Sequence, residues 1–283
     1  MHNYKKSFFL SVAGLTTTLL ASQAMADPIS SPPCPVGYDG NVTCINTVSS
    51  DGQNLQDKLN SITTSSTGID VYTDQINPSA LWSIGSTGSS ENALMFEIAG
   101  NAGLNTFGIY DPTNKDNKLQ LFSGSASDAY STTLKNIGGG SYKATQFDSS
   151  GDVLGQQSAN FGTNNLFGYY LEGPGGTFYS DPSLNPNGNA QMVAYEGGHG
   201  VSLNLGAGSS KFLANEYILA WEDMAYGTGD NDFNDFAVMV ESVDPSGPSV
   251  PEPHVLGLFG LGLLLMSITP KLNPRRKLST IAA

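Results

Sequence analysis

The segment of the 283-residue sequence that offers most for chemistry is residues 222–235. Five carboxylates and two carboxamides occupy these 14 positions, and no basic residue lies among them. Bringing like charges together costs free energy unless a cation neutralises them. Calcium takes roughly six to eight oxygen ligands, which this density of oxygen side chains could supply. We therefore predict a Ca²⁺ site whose ligands come from Glu222, Asp223, Asp230, Asp232, Asn234 and Asp235.

The spacing inside this segment partly matches an EF-hand calcium loop. Asp230, Asp232 and Asn234 alternate like the first three EF-hand ligands, and Glu241 stands at the twelfth position. The sixth position is Asp235 rather than glycine, however, and both flanks have β-type sequences. A β-hairpin whose loop wraps the ion is the better prediction. The alternative is a solvated acidic turn in which Asx side chains only cap the backbone.

Charge excludes one class of partner. Six of the 12 Lys and Arg lie near the two ends of the chain, whereas only Glu252 of the 25 acidic residues does. The middle, residues 27–250, carries 24 acidic residues against six lysines and no arginine. Such a surface repels phosphate backbones, so we expect no nucleic-acid binding.

Few residues could support familiar catalytic sites. His199 is the single histidine of residues 27–250, so multi-histidine zinc sites are excluded. Glu172 and Glu196 could form a glycosidase pair.

The only cysteines are Cys34 and Cys44, and in an exported protein we expect them to form one disulfide that closes a small loop.

These residues must be positioned mainly by strands. Leu55, Leu59 and Ile62 recur with helical spacing and predict one short helix over residues 51–62. Alternating or short apolar runs bounded by turn residues predict nine strands, over residues 69–72, 93–98, 106–110, 118–122, 141–147, 167–171, 191–195, 217–221 and 236–240. Without long helices between the strands, the pattern favours an all-β fold, an antiparallel β-sandwich or jelly roll. Clustered aromatics, Tyr169, Tyr170, Phe178 and Tyr179, could line a sugar-binding face or pack in the core.

Both ends of the sequence are typical of export. Residues 1–26 combine a basic start, an apolar run and Ala24-Met25-Ala26, which predicts a signal peptide removed before Asp27. At the other end, Pro251-Glu252-Pro253 precedes a short uncharged stretch, residues 255–269, and a basic tail. Fifteen residues of helix span about 22 Å, less than the roughly 30 Å hydrocarbon core.

The C-terminal arrangement resembles the PEP-CTERM sorting signal over residues 251–283. The motif residues are Pro251, Glu252, Pro253, Arg275 and Arg276. The resemblance implies export through the Sec translocon in a Gram-negative bacterium, a transient inner-membrane stage through residues 255–269, and processing by an exosortase. It also implies delivery to the cell surface or an exopolysaccharide matrix, with exopolysaccharide as a partner. The alternative is an ordinary single-pass anchor.

The acidic segment carries a second resemblance. Trp221-Glu222-Asp223, a glycine-containing loop and the run 230–238 look like the C-terminal signature of a domain-of-unknown-function family found in secreted, adhesin-like, calcium-rich surface proteins. Residues 105–111 are similar to the family's early strand, so the resemblance covers residues 93–243. It implies a β-sandwich with a calcium loop and no assigned catalysis.

Together these features predict five segments: a signal peptide (1–26), an N-terminal segment with the disulfide and helix (27–92), a β-sandwich domain (93–243), a linker (244–250) and the sorting signal (251–283). The expected function is that of a non-enzymatic exported surface or matrix protein stabilised by calcium. Two alternatives stay open: a secreted carbohydrate-active enzyme that uses paired carboxylates, and a carbohydrate-binding module.

Overall fold

The fold is known from a computed structural model that describes residues 42–47, 54–76, 80–86, 88–97, 103–162, 165–206 and 208–246. These residues form one α-helix, α1 (Leu55–Ile62), two 3-10 helices and sixteen strands. The strands are β1 (Gln75–Ile76), β2 (Trp82–Ile84), β3 (Ser89–Glu97), β4 (Thr106–Asp111), β5 (Asn114–Phe122), β6 (Ser131–Gly138), β7 (Ser141–Phe147), β8 (Val153–Asn160), β9 (Gly168–Gly173), β10 (Gly176–Tyr179), β11 (Met192–Glu196), β12 (Ser202–Asn204), β13 (Ser209–Lys211), β14 (Glu216–Trp221), β15 (Phe236–Glu241) and β16 (Val243–Pro245).

Two antiparallel sheets form the body of the fold. The larger has eight strands in the order β1-β11-β14-β15-β3-β6-β7-β8, and the smaller has four in the order β10-β9-β4-β5. Two short ribbons, β12-β13 and β16-β2, complete the structure of the described residues. All strand pairs are antiparallel. The predicted all-β sandwich class is therefore confirmed.

The main hydrophobic core combines residues from both sheets. Trp82, Phe107, Tyr169, Trp221 and Phe236 are buried in it with nineteen other side chains. The Phe107 ring stacks on Phe236 with centroids 5.2 Å apart and on Tyr169 at 5.5 Å. Aromatic pairs of this kind stabilise a core beyond the area they bury. Tyr169, Tyr170, Phe178 and Tyr179 are all buried, which confirms that they pack in the interior rather than line an open face.

A second core covers the other face of β11, β14 and β15. It contains Leu55 and Leu59 of α1 together with alternate residues of these strands, such as Ile218 and Ala220. Every residue of β14 is consequently buried. A strand buried on both faces has a continuous apolar run rather than alternation, as in Tyr217-Ile218-Leu219-Ala220-Trp221. The acidic segment, residues 222–235, therefore begins directly after a strand that is buried along its whole length.

Eight of the nine predicted strands are found, with ends shifted by a few residues, and the ninth is wrong. Residues 69–72 lead into a turn in which the Asp70 carboxylate accepts the N–H groups of Tyr72 at 2.9 Å and Thr73 at 2.8 Å. These bonds also help to lower the pKa of Asp70. Ile69 and Val71 are apolar because they pack with α1 in the second core, not because they alternate along a sheet.

Several predicted features lie outside the described residues. They include the signal peptide, Cys34, the Pro-Glu-Pro motif, the stretch 255–269 and the basic tail. The predicted helix begins at Leu55 in the structure, and residues 51–53 are outside the description. Strand β16 takes up Asp244 and Pro245, the first two residues of the predicted linker. Within the described ranges, no helix is both long and apolar enough to cross a membrane.

Candidate metal centre

The acidic segment connects two neighbouring central strands. β14 and β15 pair so that Trp221 lies opposite Phe236. Glu222 therefore follows the last paired residue of one strand, and Asp235 precedes the first paired residue of the other. The 14-residue connection is a β-hairpin loop, as the sequence predicted, and not a helix-loop-helix EF-hand. Glu241, the twelfth EF-hand position, pairs with Glu216 at the far end of both strands, away from the loop.

The loop is buried to an unusual degree for its composition. Glu222, Asp232 and Asn234 are 0% exposed, Asp223 is 2% exposed and Asp235 is 8% exposed. Asp230 is partly buried. Burying a carboxylate is costly unless it is paired, hydrogen-bonded or bound to a metal. This burial argues against the alternative of a solvated acidic turn.

Three carboxylates converge within the loop. Glu222, Asp230 and Asp232 each present an oxygen, and these oxygens lie within 4.8 Å of one another. One Glu222 oxygen, Oε1, accepts the Phe233 N–H at 2.6 Å. The other, Oε2, is buried and has no hydrogen-bond partner among the described residues. A buried carboxylate oxygen that accepts no hydrogen bond needs another partner. Beside two further carboxylates, a bound cation is the partner that would also neutralise the charges.

Asn234 belongs to the same group, whereas Asp223 and Asp235 form a neighbouring pair. Asn234 donates from Nδ2 to Asp232 Oδ2 at 2.8 Å. Asp235 Oδ2 accepts the Asp223 N–H at 2.9 Å, and Asp223 Oδ2 accepts from Asn105 Nδ2 at 3.0 Å. All six predicted ligands therefore lie in one loop, but only Glu222, Asp230 and Asp232 form the tight carboxylate group.

The electrostatics of the unliganded loop are unfavourable to ionised carboxylates. Burial, followed by the neighbouring charge of Asp235, raises the pKa of Glu222 well above its ordinary value despite the Phe233 N–H bond. Burial also raises the pKa of Asp235 to about 7, with further contributions from the charges of Asp223, Asp230 and Asp232. A divalent cation would remove this penalty by favouring the ionised forms.

The backbone of the loop is held in a strained shape. Asn231 and Phe233 both have φ of 57°, in the left-handed region. Asn tolerates that region, but for a bulky side chain it costs about 1–2 kcal/mol. Phe233 keeps this conformation while its ring is fully buried in the second core. The core thus fixes the residue whose N–H orients Glu222.

Residues distant in sequence hold the loop from outside. Asn46 donates its N–H to the Asn231 carbonyl at 2.8 Å and its side-chain amide to the Asp230 carbonyl at 3.0 Å. Gln191 donates to the Met224 carbonyl and accepts the Tyr226 N–H, both at 2.6 Å. Asn46, Gln191 and Asn105 were not predicted as site residues, because nothing in one sequence links such polar residues to a loop far along the chain.

Cys44 adjoins this anchoring segment. It is buried and disulfide-bonded, and its carbonyl accepts the Tyr226 hydroxyl at 3.4 Å. Its predicted partner, Cys34, lies outside the described residues, so the pairing stays a prediction.

The candidate glycosidase carboxylates are placed on different sheets. Glu172 lies on β9 and forms an ion pair with Lys118 at 2.7 Å. Glu196 ends β11 and accepts the Tyr217 hydroxyl at 3.3 Å. Glu196 and His199 line a cavity of about 320 Å³ together with Asp74. Each glutamate thus interacts with a neighbour in its own sheet.

Comparison with known proteins adds one finding. No curated protein and no solved structure matches the sequence. The sequence predicted a resemblance to a domain-of-unknown-function family over residues 93–243. A match to one such family is found over a shorter range, which begins in β7 and contains the whole acidic loop. Residues 146–243 match the family described as Domain of unknown function (DUF4114).

Proposed function

We propose that this protein is a non-enzymatic, exported surface or matrix protein whose β-sandwich is stabilised by a calcium ion bound at the β14–β15 loop. The observation that carries the proposal is the convergence of Glu222, Asp230 and Asp232 around a buried Glu222 oxygen that lacks a hydrogen-bond donor. Without an ion, the five carboxylates of this loop repel one another. A bound calcium ion would remove this repulsion and cross-link the ends of the two central strands.

The ligand chemistry favours calcium over other metals. Every candidate ligand is a carboxylate or carboxamide oxygen, and the loop contains neither histidine nor cysteine. Zinc, copper and nickel favour nitrogen or sulfur ligands, whereas calcium and magnesium favour oxygen. Magnesium demands tight octahedral geometry and gives up water reluctantly, so a dry and crowded loop suits calcium better.

A structural role fits the position of the loop. The candidate ligands are buried between the ends of β14 and β15, where access for a large substrate is poor. The extracellular setting supports the same role, because millimolar calcium outside a cell can saturate a site of modest affinity. Export itself rests on the leader and on the Pro-Glu-Pro tail, with exosortase, Sec translocon and exopolysaccharide as the proposed partners.

Thermal unfolding with a matched pair of variants tests the calcium proposal. If calcium binds only the folded chain, it should stabilise the protein by about 2.7 kcal/mol when present at a hundredfold excess over Kd. Asp232→Asn should lose most of this gain. Asp116→Asn, which removes the same charge from an 84% exposed side chain on β5, should keep it. Equal melting temperatures of the native protein in EGTA and in millimolar calcium would reject the proposal.

A further inference from the structure

The four edges of the two main sheets are not equally protected. In the large sheet, the described part of edge strand β1 consists of two residues. In the small sheet, β10 has four residues, and β5 carries Lys115, Asp116 and Lys118. Short or charged edge strands are the usual means by which proteins prevent pairing with other strands. The fourth edge, β8, is neither short nor charged. A bulge interrupts its first residues, and the Asn117 amide covers the Asn160 carbonyl at its end, so residues 156–158 form the open part of this edge.

β8 is long, neutral and exposed. Its eight residues, Val-Leu-Gly-Gln-Gln-Ser-Ala-Asn, contain no charge and no proline. Six of them are exposed, and Val153 and Leu154 are exposed by 59% and 55%. In a chain with a net charge of −13, such a strip is a place where a second acidic molecule can approach without strong repulsion.

The hydrogen-bonding direction of β8 can be read from its pairing with β7. Phe161 N–H donates to the Gly140 carbonyl at 2.8 Å, and Ser141 lies opposite Asn160. Backbone groups alternate in direction along an antiparallel ladder, so those of Gln156, Ser158 and Asn160 point away from β7. The Asn160 carbonyl agrees with this, because it accepts the Asn117 side-chain amide at 2.8 Å. Gln156 and Ser158 therefore present backbone groups at an edge where no other described strand pairs.

The charges beside β8 differ at its two ends. Asp148 and Asp152 lie in the turn that precedes the strand. Lys143 lies directly opposite Ser158 in the second half, and Lys135 lies opposite Lys143 on the next strand. When two copies of β8 run antiparallel, the acidic end of each meets the basic half of the other. The charges around β8 are therefore complementary to those around β8 of a second copy when the two strands run antiparallel. A twofold interface requires this kind of self-complementarity.

We propose that β8 is a homodimerisation edge, at which two copies of this protein pair antiparallel and join their eight-stranded sheets into one. The outward backbone groups of Gln156 and Ser158 make the central hydrogen bonds, and the exposed Val153 and Leu154 are partly covered. This inference is independent of the proposed calcium site, which lies in the loop between β14 and β15.

Two substitutions at one position separate backbone pairing from side-chain effects. Gln156→Pro removes an outward N–H, and proline is tolerated where the N–H of an edge strand faces solvent. Gln156→Ala removes the same side chain but keeps the N–H. Sedimentation equilibrium of the purified protein at micromolar to about 100 micromolar concentrations should show dimers for the native protein and for Gln156→Ala. Gln156→Pro should weaken association at least tenfold.

A third variant keeps the test decisive if Gln156→Pro does not fold. Lys143→Glu reverses the charge that lies opposite Ser158 and so removes the charge complementarity of the two copies, and association should weaken severalfold and recover with salt. A native protein that is monomeric at 100 micromolar overturns the proposal. So does an association constant that is the same in all four proteins, because the dimer would then use another surface.

Discussion

Glu222 is the residue on which the calcium proposal depends most directly. Its Oε1 is fixed by the Phe233 N–H, and its Oε2 lies buried near Asp230 and Asp232 without a donor. Gly229 also lies close by, since a Cβ at that position would stand 3.2 Å from Oε2. The sequence alone indicated this loop as the candidate site, because the density of acidic residues is a local feature. It could not reveal that one of them is fully buried, since burial depends on the strands that surround the loop.

Glu222→Gln should therefore have opposite effects with and without calcium. Glutamine keeps an oxygen that can accept the Phe233 N–H but removes a buried charge. In EGTA we expect the variant to melt at the same or a higher temperature than the native protein, because repulsion is relieved. In millimolar calcium it should melt lower than the native protein. A variant that loses stability equally in both conditions would show that Glu222 acts only in packing.

The raised pKa values of Glu222 and Asp235 predict how metal-free stability depends on pH. In the unfolded chain these groups titrate near pH 4, whereas Asp235 in the folded protein has a pKa of about 7 and Glu222 is also raised. Between pH 4 and 7 the folded state thus binds more protons than the unfolded state. The free energy of unfolding must then fall as the pH rises through this range.

Melting curves of the metal-free protein from pH 4.5 to 7.5 measure this dependence. The native protein should lose more stability across the range than Glu222→Gln does. Calcium competes with protons for these carboxylates. The stability gained from calcium should therefore be small at pH 4.5 and largest near pH 7.5. Parallel pH profiles of the two proteins would contradict the assignment of the proton uptake to this loop.

At the scale of elements, strands with strong apolar patterns were predictable and polar ones were not. β7, β14 and β15 were predicted within a residue at each end because their inward side chains are apolar and regularly placed. β8 was missed because six of its eight residues are exposed and most are polar or glycine, so the strand shows no hydrophobic alternation. Its pairing is imposed by β7, a contact that no local pattern encodes.

The anchoring of the loop by Asn46 makes a prediction at this scale. Asn46→Ala removes the bond to the Asp230 carbonyl, although no ligand is changed. Losing one hydrogen bond costs about 1 kcal/mol, so we expect calcium affinity to fall about fivefold. Asn117→Ala, which removes side-chain bonds at the far end of β8, is the matched control and should leave calcium affinity unchanged. Equal affinities of both variants would mean that the segment around Asn46 does not position the loop.

For the whole molecule, the fold class followed from composition and strand spacing, whereas the association of two sheets through Trp82, Phe107 and Trp221 required the structure.

Export and sorting are expectations from residues 1–26 and 251–283. Intact-mass measurement of protein released from the native host should show a chain that begins at Asp27 and ends near Pro253. Retention of residues 255–283 would instead support a permanent anchor.

The most direct measurement of the central claim is isothermal titration of the metal-free protein with calcium near pH 7.5. The convergence of Glu222, Asp230 and Asp232 predicts saturable binding of one calcium ion, much weaker binding of magnesium, and much weaker calcium binding by Asp232→Asn. Absence of calcium binding by the native protein, or undiminished binding by Asp232→Asn, would contradict the assignment of this loop as a calcium site.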